Sequence, residues 1–384
     1  MLFNMLKKFF LLKRCLLFFI FRGRADKDAK DLKKILVVQT AKLGDLVCTT
    51  PVFRAIKEKY PEVKIYVLVN KINNELLADN QDVDHYFVKE SDFNYLKNFI
   101  KTEKFDCACL ITPNFENLAV CYLAGIPLIV APKVINGISP YETKPYKILS
   151  NFVITRPHYF GNYAPREYLR LLEPLNIFSE NTKKHLNYST STENKIINFL
   201  NKNNIIFKKD FIVGIAPSVA NKIKLWPSAR FAKIADYLVE KYQAKIIIIG
   251  GNDDRQEIEK MIGFLNKSTF FVNTCGLFDL AGLKALIAKL NLFISVDTGP
   301  IYIAEALNIP TVDILGPMDE NEQPPQGQFH KIVKLENRIP QLHIMNARLY
   351  DKKEARRQID EITVEAVIDK INELIKELKT NNDK

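Results

Sequence analysis

One pattern recurs along this chain: a short, largely apolar run, a polar or glycine-bearing turn, then a stretch of helical periodicity. Residues 35–38 are Ile-Leu-Val-Val, and residues 211–216, 245–250, 292–296 and 311–315 are similar runs. Apolar runs of this length suit strands buried on both faces, as in a parallel sheet. Their alternation with helical segments predicts β-α-β units, with helices covering the sheet. The runs form two series. Between them residues 183–209 are polar and Asn-rich, with one apolar stripe at Ile196, Ile197 and Leu200. A helix and an interdomain crossing fit there. The 384 residues are enough for two domains, and the expectation is two doubly wound α/β domains.

In the first series a helix is expected over residues 45–60, with Pro51 near its first turn, and strands over 64–69, 86–88 and 105–111. Residues 130–190, rich in Pro, Tyr and Asn, read as loops and helices that finish the first domain. In the second series helices are expected over 228–241 and 280–289 and after Thr298-Gly299-Pro300, with a short strand near 270–272. A closing helix over 363–379 carries an apolar face of Ile362, Ala366, Val367, Ile371, Leu374, Ile375 and Leu378. The expected organisation is an arm over 1–30, domains over 31–190 and 205–335, and a helical segment over 336–384.

The formal charge of +11 favours anionic partners such as nucleic acid, anionic lipid or phosphorylated small molecules. The basic residues do not fall into a nucleic-acid-binding motif, so no nucleic-acid partner is expected. Lys7, Lys8, Lys13, Arg14, Arg22 and Arg24 lie among Leu and Phe. The longest charge-free run there, residues 15–21, is too short to span a bilayer, and no small-residue cleavage site follows it. Interleaved cations and bulky apolar groups suit a helix lying at an anionic membrane surface. Docking on the protein's own surface and a disordered tail stay open, and Asn4 interrupts the apolar pattern. The six cysteines contain no C-x-x-C pair and read as small core residues with reduced thiols. The five histidines have no metal-ligand spacing, and no metal site is expected.

Three segments carry candidate chemistry, each at the carboxyl end of an expected strand, where open α/β sheets gather their ligands. In residues 34–61 a turn runs from Gln39 to Asp45. Gly44 permits a close backbone approach there, and Asp45 begins the helix. Helix capping is the alternative role for Asp45. In residues 214–236 a loop presents Ser218, Asn221, Lys222 and Lys224 ahead of a helix, a place where lysines can hold phosphate. Ordinary loop lysines, with Trp226 as a packing staple, are the alternative. In residues 292–319 a buried strand ends at Asp297. Thr298-Gly299-Pro300 then opens a helix whose free N–H groups make an anion site. Asp254, after the strand at 245–250, is placed to bond ribose hydroxyls. The Asp82-Val83-Asp84 pair has no visible third ligand and reads as a loop before a strand.

Together these segments resemble the bacterial heptosyltransferases, glycosyltransferase family nine. The resemblance rests on Lys42-Leu43-Gly44-Asp45 with Thr49-Thr50-Pro51, on Lys224-Leu225-Trp226-Pro227, and on Asp297-Thr298-Gly299-Pro300. Ala304, Ala306, Leu307, Pro310, Gly316-Pro317 and the helix start at Ile362-Thr363-Val364 add to it. It covers most of residues 34–319. It implies a GT-B architecture, two Rossmann-like domains facing each other across a cleft. It also implies an inverting, metal-independent transfer, typically of heptose from ADP-heptose to the inner core of lipopolysaccharide. That lipid-linked acceptor lies at the cytoplasmic face of the inner membrane, which implies a peripheral enzyme with no cofactor. Carried over, Asp45 is the general base, with Lys42 and Gly44 in the acceptor-side loop. Lys224 and the helix start at Thr298, Gly299 and Pro300 neutralise the diphosphate. Asp297 orients sugar hydroxyls, Ser218 binds phosphate and Asp254 holds the ribose.

Two positions depart from the family's pattern. Tyr302 stands where a histidine is usual, and Leu225 replaces a common basic residue. Tyrosine donates a hydrogen bond but carries no positive charge at neutral pH. Two further readings therefore stay open: a non-catalytic nucleotide-sugar-binding protein of the same fold, and a relative using another donor or a protein acceptor.

Overall fold

The computed structural model describes residues 2–26, 32–73, 75–90 and 92–382. It divides into two compact units: residues 1–184 with Ile344–Leu349, and His185–His343 with Tyr350–Lys384.

The first unit begins with helix α1 (Leu2–Arg22). Strand β1 (Lys34–Gln39), helix α2 (Leu43–Lys59) and strands β2 (Lys64–Val69) and β3 (His85–Val88) follow. Next come α3 (Phe93–Glu103), β4 (Cys107–Leu110), α4 (Phe115–Leu123), β5 (Leu128–Ile135), α5 (Lys144–Ser150), β6 (Ile154–Tyr159) and α6 (Ala164–Leu169). The six strands form one parallel sheet ordered β3-β2-β1-β4-β5-β6. Thus residues 130–190 supply two strands, where only loops and helices are expected from the sequence. Pro132 and Pro157 lie inside those strands and argue against them locally. Pro157 is tolerated because β6 is an edge strand, and Pro132 lies past the last residue of β5 that pairs with β4.

Pro51 is a second correction. It lies inside α2, well past the first turn, and α2 starts earlier than expected, at Leu43. A proline there leaves the carbonyl four residues back without its amide donor. The Thr50 hydroxyl donates to that carbonyl, Val47 O, at 2.8 Å. Thr49 Oγ1 likewise donates to Asp45 O at 2.7 Å. The Thr-Thr-Pro sequence is thus a self-satisfying insertion in a buried helix.

The amino-terminal arm belongs to the first unit. Leu11, Leu12 and Cys15 of α1 are buried in the same apolar cluster as Val38, Leu110 and Leu118. Phe19 stacks on Phe152 with ring centroids 4.2 Å apart, and the Arg22 guanidinium lies over the Tyr122 ring at 4.6 Å. Arg22 also donates to the carbonyls of Tyr122 and Ile126. The side chain of Asn4 lies outside the described residues. Among the described residues no helix is long and apolar enough to cross a membrane. Asp84, from the Asp-Val-Asp loop, is structural: Lys57 donates to it at 2.7 Å and Lys64 at 2.9 Å.

The second unit contains α7 (Thr190–Lys202), β7 (Ile212–Ala216), α8 (Ser228–Tyr242), β8 (Lys245–Ile248), α9 (Arg255–Phe264) and β9 (Phe271–Asn273). Then come α10 (Leu280–Ile287), β10 (Leu292–Val296), α11 (Gly299–Ala306), β11 (Thr311–Ile314), β12 (His330–Val333), α12 (Lys352–Asp360) and α13 (Val364–Asn382). Its parallel sheet is ordered β12-β11-β10-β7-β8-β9. The carboxyl-terminal region is no separate segment. Ile359, Ile362, Val367, Ile371 and Leu374 join the core of β7, β8 and β10, while residues 344–349 group with the first unit. All six cysteines are buried free thiols.

Candidate active site

Each sheet has its first strand beside its fourth, and there the strand order reverses. Loops leaving those two strands diverge and open a crevice at the carboxyl edge, where doubly wound folds bind ligands. In the first unit the loops follow β1 and β4; in the second they follow β7 and β10.

In the first unit β1 ends in Gln39, a buried amide. Its Oε1 accepts from Ala41 N at 3.2 Å and its Nε2 donates to Thr49 Oγ1 at 3.1 Å. Asn117 of α4 donates to Thr40 Oγ1 at 2.7 Å, across the reversal point. Asn73 donates to Ala41 O at 3.0 Å, and Asn70 bonds the same carbonyl. The turn is therefore held from β1, α4 and the segment after β2. Asp45 follows as the third residue of α2, and its Oδ2 accepts the Lys42 N–H at 3.0 Å. Asp45 is half-buried, Lys42 exposed and Gly44 buried. The N-cap position itself falls to Lys42, and Asp45 caps from the third helical position by reaching back to the Lys42 N–H, where its charge is favoured by the helix amino terminus. Sequence reasoning missed Gln39, Asn70, Asn73 and Asn117. Only Gln39 carried a signal, as a polar residue closing an apolar strand.

In the second unit Lys224 and Asp297 meet. Lys224 Nζ donates to Asp297 Oδ2 at 2.6 Å and to the Asp297 carbonyl at 2.5 Å. Both side chains are largely buried, 13% and 3% exposed, so the attraction is little screened. The Tyr302 hydroxyl donates to the other carboxylate oxygen, Asp297 Oδ1. One helical turn of α11 brings Tyr302 back over Asp297, while Lys224 arrives from a 3-10 turn at Lys222–Lys224. That turn is anchored from behind. Trp226 is fully buried, its indole N–H donates to Ile362 O at 3.0 Å, and Arg356 donates to Leu225 O at 2.6 Å. Trp226 therefore does pack as a staple, and in doing so it fixes the lysine.

Asp313 of β11 was not marked by the sequence. Its partner across the sheet is Ser295, two residues before Asp297. It is fully buried, and neither carboxyl oxygen has a hydrogen-bond partner among the described residues. Burial first, and the neighbouring Asp297 charge second, push its pKa well above the ordinary range. Burial thus biases its carboxyl toward the neutral form beside the Lys224–Asp297 pair.

Ser218, just past β7, is buried, and its hydroxyl has no partner among the described residues. Thr298 caps α11 without a side-chain bond to the helix. The helix start offers fewer donors than expected: Pro300 has no N–H, and Ile301 N turns back to Thr298 O at 3.1 Å. Gly299 contributes the first helical N–H. Asp254 lies in the loop after β8, where its Oδ2 accepts Gly251 N at 2.8 Å. A further cluster comes together only in the fold. Ligand atoms of Asp319, Glu322 and His343 lie within 4.8 Å of one another, an arrangement that suits a charged imidazole or a cation. Burial opposes charge on His343, but the two carboxylates outweigh it and raise its pKa.

Two six-stranded parallel sheets with flanking helices, each with polar loops meeting at its reversal point, define the α/β class of the GT-B glycosyltransferases. The chain belongs to glycosyltransferase family 9 (heptosyltransferase), whose model matches residues 129–349, and it is a glycosyltransferase. It is 24% identical over 283 residues to lipopolysaccharide heptosyltransferase 3 of Escherichia coli K12, covering 72% of this chain and 80% of that one. It is 22% identical over 365 residues to lipopolysaccharide heptosyltransferase 2 of the same strain, covering 89% and 98%. The fold matches the solved structure of E. coli ADP-heptose lps heptosyltransferase II with a TM-score of 0.72 at 19% identity, over 90% of this chain and 99% of that one.

Proposed function

We propose that this glycosyltransferase moves heptose from ADP-heptose, with inversion, onto the inner core of lipopolysaccharide. It would do so as a peripheral enzyme at the anionic cytoplasmic face of the inner membrane. The observation that carries the reading is the Lys224–Asp297 pair at the reversal point of the second sheet. A largely buried ammonium held by the single carboxylate of Asp297 is poised for an anionic ligand. The relatives' names supply the donor and acceptor class.

In this reading the acceptor hydroxyl attacks the anomeric carbon and gives its proton to Asp45. The bond from that carbon to the diphosphate oxygen breaks, and ADP leaves with the electron pair. Lys224 shifts from Asp297 toward the departing diphosphate, and Gly299 N–H and the Ser218 hydroxyl donate to it. Thr298 and Pro300 shape that helix start, and Lys42 and Gly44 shape the acceptor loop. Freed from Lys224, Asp297 bonds sugar hydroxyls while Tyr302 keeps it oriented. Asp254 takes the ribose by exchanging its Gly251 bond. The charge-neutralising work needs no metal ion or cofactor.

Calorimetry with ADP, UDP and GDP, on wild type and Lys224→Ala, tests the donor site. Selective ADP binding weakened by the substitution supports the reading. A preference for UDP or GDP keeps the enzyme class and discards heptose. Binding of no nucleotide overturns the donor site and favours the non-catalytic alternative.

A further inference from the structure

Helix α1 has 21 residues and no acidic side chain, but five cations: Lys7, Lys8, Lys13, Arg14 and Arg22. Its inner stripe is docked, while its outer face exposes bulky apolar side chains interleaved with Lys13. Phe9 and Phe10 are each 60% exposed, Ile20 73% and Phe21 89%. One flank of the helix opens into a cavity of about 490 Å³ within the first unit. Phe10 and Leu11 of α1, Phe93 and Leu96 of α3 and Val120 of α4 form its apolar wall. Lys7, Lys8 and Arg14 stand around it, with Arg14 lying 5.9 Å over the Phe93 ring. Lys89 also lines it, 3.6 Å from Glu116, and Glu90 completes the charged rim. The volume lies in the range of sites that enclose a small ligand, about 300–1,000 Å³.

An apolar cavity ringed mainly by cations, continuous with an exposed apolar helix face, has the polarity of an anionic amphiphile. We propose that this cavity receives one acyl chain of an anionic phospholipid drawn from the bilayer, with the head group at Lys7, Lys8 and Arg14. The outer face of α1 would lie along the same lipid surface. A bound chain then fixes the orientation of the first unit on the membrane, which a flat contact would leave free. The inference rests on the membrane-surface part of the proposed function and not on the identity of the transferred sugar.

The test uses the full chain with vesicles of phosphatidylcholine alone or in equal parts with phosphatidylglycerol. Both carry a trace of phosphatidylglycerol with a photoreactive group at its acyl terminus. After illumination, labelling is expected at Phe93, Leu96 or Val120, in the mixed vesicles only. Asn94→Trp, an exposed lining residue enlarged to fill the mouth, is expected to lower that labelling at least about fivefold while flotation with the vesicles persists. Lys7→Glu with Arg14→Glu is expected to lower flotation about tenfold or more. Labels confined to Phe9, Ile20 and Phe21 would overturn the proposal in favour of plain surface contact, as would equal labelling in neutral vesicles. No donor or acceptor is present in this experiment. A failed nucleotide assay therefore leaves its result standing, and an unlabelled cavity leaves the donor site untouched.

Discussion

Lys224 Nζ sits 2.6 Å from Asp297 Oδ2, and this contact ties the loop after β7 to the loop after β10. The cation proposed for the diphosphate is therefore already partnered before any donor arrives. Removing one member of a buried pair leaves the other charge uncompensated, at a cost of roughly 3–5 kcal/mol. Lys224→Ala is expected to lower both stability and ADP affinity. The double variant Lys224→Met with Asp297→Asn is expected to recover most of the stability in urea unfolding but none of the affinity. Recovery of affinity would remove Lys224 from the donor site.

Tyr302 holds the other oxygen of Asp297. Tyr302→Phe keeps the ring in place and deletes the donor, for a stability loss of about 1–2 kcal/mol. If the hydroxyl orients Asp297 for the sugar, turnover falls while calorimetric ADP affinity is unchanged. Equal turnover would assign the tyrosine to packing alone.

Asp45→Asn keeps an oxygen to accept the Lys42 N–H, so α2 is expected to remain capped and the protein folded. Transfer is expected to fall by roughly 10²–10⁴-fold, the usual contribution of a general base, with ADP binding intact. Full turnover in a product assay would leave Asp45 with its capping role only.

Two aspartates, the half-buried Asp84 and the buried Asp313, should shape the pH dependence of stability in opposite directions. Burial alone would raise the pKa of Asp84, but the hydrogen bonds from Lys57 and Lys64 outweigh it and hold it at about 2, below its ordinary 3.8. Its contribution, roughly 2 kcal/mol, is present above pH 4 and lost as pH falls toward 2. Asp313 behaves inversely, because its folded pKa is raised. Its effect is neutral below pH 4, and it destabilises progressively as pH rises above that value. Asp313→Asn is expected to raise the urea midpoint at neutral pH and flatten that slope, and Asp84→Asn to lower the midpoint at neutral pH. The reverse pattern in urea titrations at several pH values would contradict both assignments.

Thr50→Val tests the proline insertion in α2. The branched shape is kept, while Val47 O loses the hydroxyl that replaces the missing amide. A loss of about 1–3 kcal/mol is expected from thermal or urea unfolding, and no loss would show that another donor takes over.

The strands at the centre of each sheet, and the loops bearing Asp45, Lys224 and Asp297, were legible in the sequence. Strands buried on both faces must be continuously apolar, and helix starts beside them need turn and capping residues. The proline-bearing β5 and β6 were not legible, because local chemistry argues against them and only pairing supports them. Nor was the inner face of α1. Its Leu and Phe residues line most of the helix, so periodicity alone cannot choose which stripe meets the core. The sequence by itself thus determined that two doubly wound sheets form and where their charged loops lie. Only the tertiary structure decided the partners. Lys224 and Asp297, like Thr40 and Asn117, are far apart along the chain, and they become neighbours because parallel pairing sets the first strand of each sheet beside the fourth, while Asp313 joins them through the pairing of β10 with β11.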